Sequence, residues 1–336
     1  MSPPLGNRAG YAERMTGSRL SRLLPSLFFF AAFTAAHSQQ KAETAFTIRP
    51  AVVEVGSPEL ITVSAREATS MEGEWLGHKL EFFHHDGKWI ALAGVDVETT
   101  PQTSTLHITA QTPTGPRDFS RTIEIHPAHY RTGKLTVAPK FVEPGPDEQK
   151  EIAAASEIKA KIFATSAPEP LWHGDFRAPV KAPPTDSFGT RRMFNGKLAS
   201  IHKGMDFRAR AGTVVRASNS GVVVLARPLY FEGNCVIIDH GLGLYTLSMH
   251  FSRIDVREGQ HVETGDKLGL SGATGRVTGP HLHWAVRWEN AYLDPAKLLH
   301  LNLNAVDSTA RPGLLPFQPA APSSLPKYSL SPAATT

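Results

Sequence analysis

Five side chains in the second half of the chain have the types and spacing of a metal-dependent hydrolytic centre. They are His202 and Asp206 in His-x-x-x-Asp, His250, and His281 and His283 in His-Leu-His. They lie among Val, Ile, Gly and Thr, a composition of β-structure. Strand residues two or four apart project from one face, so His202 is expected to converge with Asp206, and His281 with His283. Imidazole nitrogens with one carboxylate oxygen suit zinc, and a zinc with an open position can activate water for hydrolysis. The residues alone do not choose between His281 and His283 as a ligand, because both face the same side.

The chain has 15 histidines, so a lone histidine says little. His240 and His261 are expected to be structural or solvated. His84 and His85 are adjacent on a strand-like run and would face opposite sides, a poor metal pair. The segment Ser271–Pro280 carries three glycines and ends at the His-Leu-His. Such a loop lets the backbone approach whatever occupies the site. No helix follows it, so it is not a phosphate cradle.

The elements that would position these residues are mainly β. Between 40 and 135, apolar runs such as Leu60-Ile61-Thr62-Val63, Trp89-Ile90-Ala91-Leu92 and Thr122-Ile123-Glu124-Ile125 alternate with turn signals. Asp86-Gly87 marks a hairpin. This spacing predicts a β-sandwich of immunoglobulin-like architecture, without the Cys-Trp-Cys hallmark. Residues 136–175 read as a linker holding a helix over about 148–163, with Asp147 as N-cap and Pro168 beyond its end. Residues 176–299 carry further strands at 212–217, 221–226, 236–239 and 282–286, punctuated by glycines and with no amphipathic helix of normal length. They are expected to form a glycine-rich antiparallel domain. From 300 to 336, Pro, Ala and Ser dominate and periodicity is lost, which predicts disorder.

Composition narrows the function classes. With 35 basic and 31 acidic residues, the formal charge of +4 gives no argument for nucleic acid, while a pI near 9.1 tolerates an anionic polymer as partner. Arg14, Arg19 and Arg22 precede the apolar run Leu23–Phe33, and Ala36-His37-Ser38 follows. That is the layout of a signal peptide over 1–38, so the expected location is the periplasm or cell envelope. The run is shorter than the ~20 residues a spanning helix needs, which leaves membrane contact only through an uncleaved signal segment. The sole cysteine, Cys235, sits in a strand-like run and is expected to be a buried structural thiol. A monomer is expected.

The run His202-Lys203-Gly204-Met205-Asp206-Phe207, the following Gly212-Thr213-Val214-Val215, and Gly275 through Gly279-Pro280-His281-Leu282-His283-Trp284 resemble the lysostaphin/LytM-type peptidoglycan endopeptidases. The likeness covers about 176–299. The sandwich and linker more loosely resemble the amino-terminal part of some periplasmic members. The resemblance implies a duplicated hybrid-motif β-fold and hydrolysis of peptide bonds in peptidoglycan stems or cross-links. It implies one Zn²⁺ per catalytic domain, with His202, Asp206 and His283 as ligands and His250 and His281 as the catalytic pair. It also implies that Arg191 and Asn195 line the cleft. Family members often carry an aromatic residue where this chain has Ser248. On a regular strand Ser248 would share a face with His250, so it is expected to touch substrate. Some relatives keep this fold, lose ligands and activate other wall hydrolases, so a catalytically silent envelope protein is the alternative. A lipoyl- or biotinyl-carrier reading of Gly259–Gly269 fails, because Lys267 falls within a strand-like run rather than at a hairpin tip.

Overall fold

The computed structural model describes residues 46–134, 145–194 and 197–303. The expected signal peptide, Asn195 and residues 304–336 of the expected tail lie outside them. The described residues are mainly β, as expected.

Nine strands build the first region: β1 (Phe46–Arg49), β2 (Val53–Glu54), β3 (Pro58–Val63), β4 (Ser70–Trp75), β5 (His78–Glu81), β6 (Phe83–His85), β7 (Lys88–Gly94), β8 (Gln102–Thr112) and β9 (Gly115–His126). They form two sheets, ordered β1-β3-β7-β6 and β2-β9-β8-β4-β5. Pairing is antiparallel except between β2 and β9. Alternate residues of β8, Leu106, Ile108 and Ala110, are buried in one apolar cluster with Ile61, Ala91 and Leu92 of the other sheet. The Asp86-Gly87 turn joins β6 to β7 with φ of 47° and 72°, the pair of positive values that a tight type I′ hairpin requires.

Helix α1 (Pro146–Phe163) begins earlier than expected. Gly145 is the N-cap rather than Asp147, and Pro146 sits in the first turn, where its missing N–H is no loss. Asp147 and Glu148 in that turn complement the helix dipole instead. The helix is no free spacer. Ala155, Ile158, Ile162 and Phe163 pack on Leu225, Cys235, Ile237, Tyr245, Leu247 and Ala285. Cys235 is fully buried there, and burial pushes its thiol well above the ordinary range, as suits a structural residue.

The remaining strands are β10 (Thr132–Lys134), β11 (Pro184–Asp186), β12 (Arg191–Phe194), β13 (Lys197–Ile201), β14 (Met205–Phe207), β15 (Val214–Arg216), β16 (Gly221–Leu229), β17 (Gly233–Asp239), β18 (Leu244–Ile254), β19 (His261–Val262), β20 (Lys267–Ser271), β21 (Leu282–Trp288) and β22 (Ala291–Leu293). β10, β12 and β13 form a small sheet. The other ten form one large sheet whose main path runs β11-β14-β21-β18-β17-β16-β19. Short helix α2 (Pro295–His300) follows. The chain stays packed beyond 300, contrary to the expected start of the tail. Leu301 and Leu303 are buried, and the Leu303 N–H donates to Asp175 Oδ1 at 2.6 Å.

The sandwich is bonded directly to the end of this sheet. The Tyr292 N–H donates to Asp96 Oδ2 (2.7 Å), the Asp294 N–H to the Gly56 carbonyl (2.7 Å), and Lys297 pairs with Glu54 at 2.6 Å.

Candidate metal centre

Register explains why distant residues meet. Asp206 on β14 lies directly opposite His283 on β21, and His283 is opposite Met249 on β18. Directly opposed residues share a face with their Cβ atoms about 5 Å apart. His202 reaches them from the break between β13 and β14, not from Asp206's own strand as expected. Its Nε2 lies 3.1 Å from Asp206 Oδ1 and 3.0 Å from His283 Nδ1, and His283 Nδ1 is 2.8 Å from the same carboxylate oxygen.

These three donor atoms converge closely enough to hold one divalent cation. Two ligand bonds of ~2.0 Å at a tetrahedral angle put their donor atoms about 3.3 Å apart, so the arrangement is within a few tenths of an ångström of a tetrahedral face. The His202 tautomer also fits. Its Nδ1 is 3.0 Å from the Ser187 carbonyl, which can only accept, so that nitrogen carries the proton and Nε2 keeps its lone pair for the cluster. Asp186 Oδ2 stands 3.4 Å from the same Nδ1. Burial acts to raise the Asp206 pKa, but the influence of the two adjoining imidazoles, His202 and His283, prevails and holds the carboxyl well below its ordinary value. Burial lowers the pKa of His283, which favours the neutral, ligating imidazole.

His250 and His281 stand beside this triad. The ring centroids of His250 and His281 are 4.9 Å apart, and His250 is 6.1 Å from His283. The His250 Nδ1–H donates to the Thr274 carbonyl at 2.8 Å, and the His281 Nδ1–H to the Gly279 carbonyl at 2.8 Å. In both rings Nε2 is left as the nitrogen with a free lone pair. His281 Nε2 is 3.8 Å from Asp206 Oδ1. Burial, then the charges of His283 and His281, push the pKa of His250 down to about 3. His250 has a φ of 67°, unusual for a residue with a side chain. Its N–H leaves the ladder and donates to the Glu232 carbonyl at 3.0 Å. This departure from strand geometry puts both Met249 and His250 on the cleft wall.

The same departure corrects one expectation. Ser248 does not share a face with His250. It is opposite buried Trp284, is itself 4% exposed, and does not line the cleft. Arg191 is likewise exposed away from the cleft, and Arg192, one residue on, lines it instead. Arg192 pairs with Asp186 at 3.1 Å and lies 3.9 Å from Asp206 Oδ2. Asn195 falls outside the described residues. His240 is the structural residue expected, with no exposed surface and both ring nitrogens engaged by the Ser220 carbonyl and the Thr246 hydroxyl. His261 is exposed on β19.

The cleft encloses about 290 Å³ and is lined by all five metal-type residues together with Arg192, Lys203, Glu232 and Arg276. Glu232 was not foreseen. It is 8% exposed, pairs with Lys159 of α1, and supports His250 through its carbonyl. Gly204 was also not singled out. A Cβ there would stand 2.4 Å from His283 Nε2 and 2.8 Å from the Trp284 carbonyl. The general signal available was a glycine between two ligand-type residues.

Residues 200–295 match the model of Peptidase family M23. The peptidoglycan DD-endopeptidase ShyA of Vibrio cholerae is 46% identical over 101 residues, 30% of this chain and 24% of that protein. The DD-carboxypeptidase/endopeptidase Mpg of Neisseria meningitidis is 40% identical over 98 residues, 29% of this chain and 23% of that protein. The chain thus spans about a quarter of the length of the curated relatives it matches. A crystal structure of a candidate M23 peptidase from Pseudomonas aeruginosa aligns with a TM-score of 0.55 and 27% identity, covering 71% of this chain and 92% of that one. The likeness to that structure takes in more of the chain than residues 200–295 alone.

Proposed function

We propose that this chain, whose residues 200–295 belong to peptidase family M23 of the lysostaphin/LytM type, is a zinc-dependent endopeptidase that hydrolyses peptide bonds in peptidoglycan. One observation carries the reading: His202, Asp206, His250, His281 and His283 meet in one open cleft. Their donor set favours zinc, with His202 Nε2, Asp206 Oδ1 and His283 Nδ1 as the protein ligands. Bound there, zinc would supply Lewis acidity toward water and the scissile carbonyl.

The chain's own residues handle the proton. His250 and His281 each anchor Nδ1–H on a backbone carbonyl and offer Nε2 to the cleft. A neutral Nε2 can take a proton from an attacking water, and the imidazolium so formed can donate it to the departing amine. An Nε2–H also stabilises the oxyanion at the carbonyl carbon. The low pKa of His250 keeps it neutral near pH 7 and makes an imidazolium formed there a strong proton donor to the departing amine.

The presence of all five residues weighs against a catalytically silent activator. The strand order of the first region supports an immunoglobulin-type sandwich: one sheet corresponds to the A-B-E-D order, with C, F and G in the other. Among the described residues no sandwich residue lines the cleft, which favours a docking or spacing role for it. Among the described residues no helix is long and apolar enough to cross a membrane. Export to the envelope fits the proposed substrate. Digestion of purified peptidoglycan tests the whole: new amino groups should appear, chelator should stop them, and mass analysis should identify the bond. Hydrolysis that continues in chelator rules out metal catalysis.

A further inference from the structure

Four cationic or anionic groups on the cleft wall are already paired. Glu232 pairs with Lys159, Lys203 with Glu98, and Arg192 with Asp186. Asp206 is engaged by His202 and His283. Among the described residues, Arg276 alone on this wall has no carboxylate within ion-pair distance.

Arg276 is nevertheless held in place. Its guanidinium lies over the Phe231 ring at 4.3 Å, and the Arg276 backbone N–H donates to the Phe231 carbonyl at 2.9 Å. The preceding Gly275 presses on the Phe231–Gly233 segment so closely that a Cβ would stand 2.3 Å from the Gly233 nitrogen. With a φ of 75°, that position suits glycine on conformational grounds as well. Thr274, two residues before Arg276, is the residue whose carbonyl fixes His250. The guanidinium is therefore stacked on Phe231 in the same cleft as His250 and His281, with no carboxylate of the described residues within ion-pair distance. Arg276 is exposed, so its guanidinium is open to an entering anion, with Arg192 close enough to repel it and Glu232 close enough to attract it.

We infer that Arg276, with Arg192 beside it, forms a subsite for a free carboxylate on a substrate residue flanking the scissile bond. A planar guanidinium can grip a carboxylate through two parallel hydrogen bonds. The inference rests on the endopeptidase reading and narrows it: the favoured substrates are acidic peptides, and amidated ones are disfavoured. The carboxylate has two possible sources, the C-terminus of a stem peptide or the side branch of a diamino acid at the cross-link.

The test uses cross-linked stem-peptide dimers in three forms: unmodified, amidated only at the C-terminus, and amidated only at the side branch. Hydrolysis by the zinc-loaded full chain gives kcat and KM. Calorimetry with matching dimers, whose scissile amide is replaced by a ketomethylene group, gives Kd without turnover. One amidation, and only one, should raise KM and Kd by roughly tenfold or more, the scale of a charge-assisted hydrogen bond, and it identifies the source. In Arg276→Gln that discrimination between dimers should vanish in both KM and Kd, and Arg276→Lys should regain part of it. Equal Kd values for all three dimers in the wild type overturn the inference. So does an Arg276→Gln variant that weakens all three equally. If no dimer is cut, the endopeptidase reading fails, and the Kd comparison still decides the role of Arg276.

Discussion

Replacing Gly204 with alanine should disable the metal centre without altering a ligand. The new Cβ would sit 2.4 Å from His283 Nε2, 2.6 Å from its Cε1 and 2.8 Å from the Trp284 carbonyl, where ordinary contact begins at 3.4 Å. Relief requires a shift of about 1 Å (3.4 − 2.4). The Trp284 carbonyl cannot retreat cheaply, because β21 is paired with β14 on one side and β18 on the other. The imidazole must therefore tilt. Its Nδ1 is part of the same rigid ring and moves away from the 2.8 Å approach to Asp206. Overpacking of this kind costs about 1–3 kcal/mol of stability. Misplacing a ligand by this much should weaken zinc affinity roughly 10–100-fold, the scale seen when the support of a metal ligand is lost. Competition against a chromogenic zinc chelator measures that affinity, and thermal unfolding with and without zinc separates it from simple instability. A Gly204→Ala protein that binds zinc as tightly as the wild type would refute the close-packing argument.

Three further outcomes follow from the same geometry. His250→Ala should retain zinc, since His250 is not in the ligand triad, but lose roughly 10²–10³-fold in turnover; full activity would remove it from the mechanism. Lys159→Ala should destabilise the fold by about 1–3 kcal/mol, because Glu232 is nearly buried and loses its partner. It should also slow turnover through the loosened Glu232 carbonyl that holds His250, with Lys159→Arg restoring both; unchanged melting and rate would show that the helix contact is inert. His240 governs a pH window of stability. Burial lowers its folded pKa to about 4 from an ordinary 6.5, so the unfolded chain binds the proton more readily. Its contribution is fully present above pH 6.5 and is lost as pH falls toward 4, a change of about 3 kcal/mol at most. Urea melts of His240→Gln across that window should show a flatter pH slope than the wild type, and an identical slope would contradict the assignment.

The meeting of Asp206 with His283 was legible only through the family resemblance, because a period of two groups His202 with Asp206 and His281 with His283 and leaves the choice between the last two histidines open. What periodicity could not supply was each departure from regular strand geometry. His202 sits in a break between strands, yet its four-residue spacing from Asp206 led to the right neighbourhood. His250 takes a positive φ, so counting two residues back to Ser248 gave the wrong face. Arg191 and Arg192 differ by one position, and only the register of β12 decides which reaches the cleft. Lys159 and Glu232 are 73 residues apart in sequence. No local pattern links them, since their contact exists only because α1 packs on the sheet. The hairpin at Asp86-Gly87 was the opposite case, where two adjacent residues carry the whole conformational requirement.

Zinc-edge X-ray absorption on the full-length protein tests the metal centre most directly, with Asp206→Ala measured alongside. Two imidazole nitrogens, one carboxylate oxygen and one non-protein oxygen at about 2.0–2.2 Å are expected in the wild type, and loss of bound zinc in the variant. A coordination sphere closed by a fourth protein side chain, or zinc held unchanged without Asp206, would contradict the proposed catalytic site.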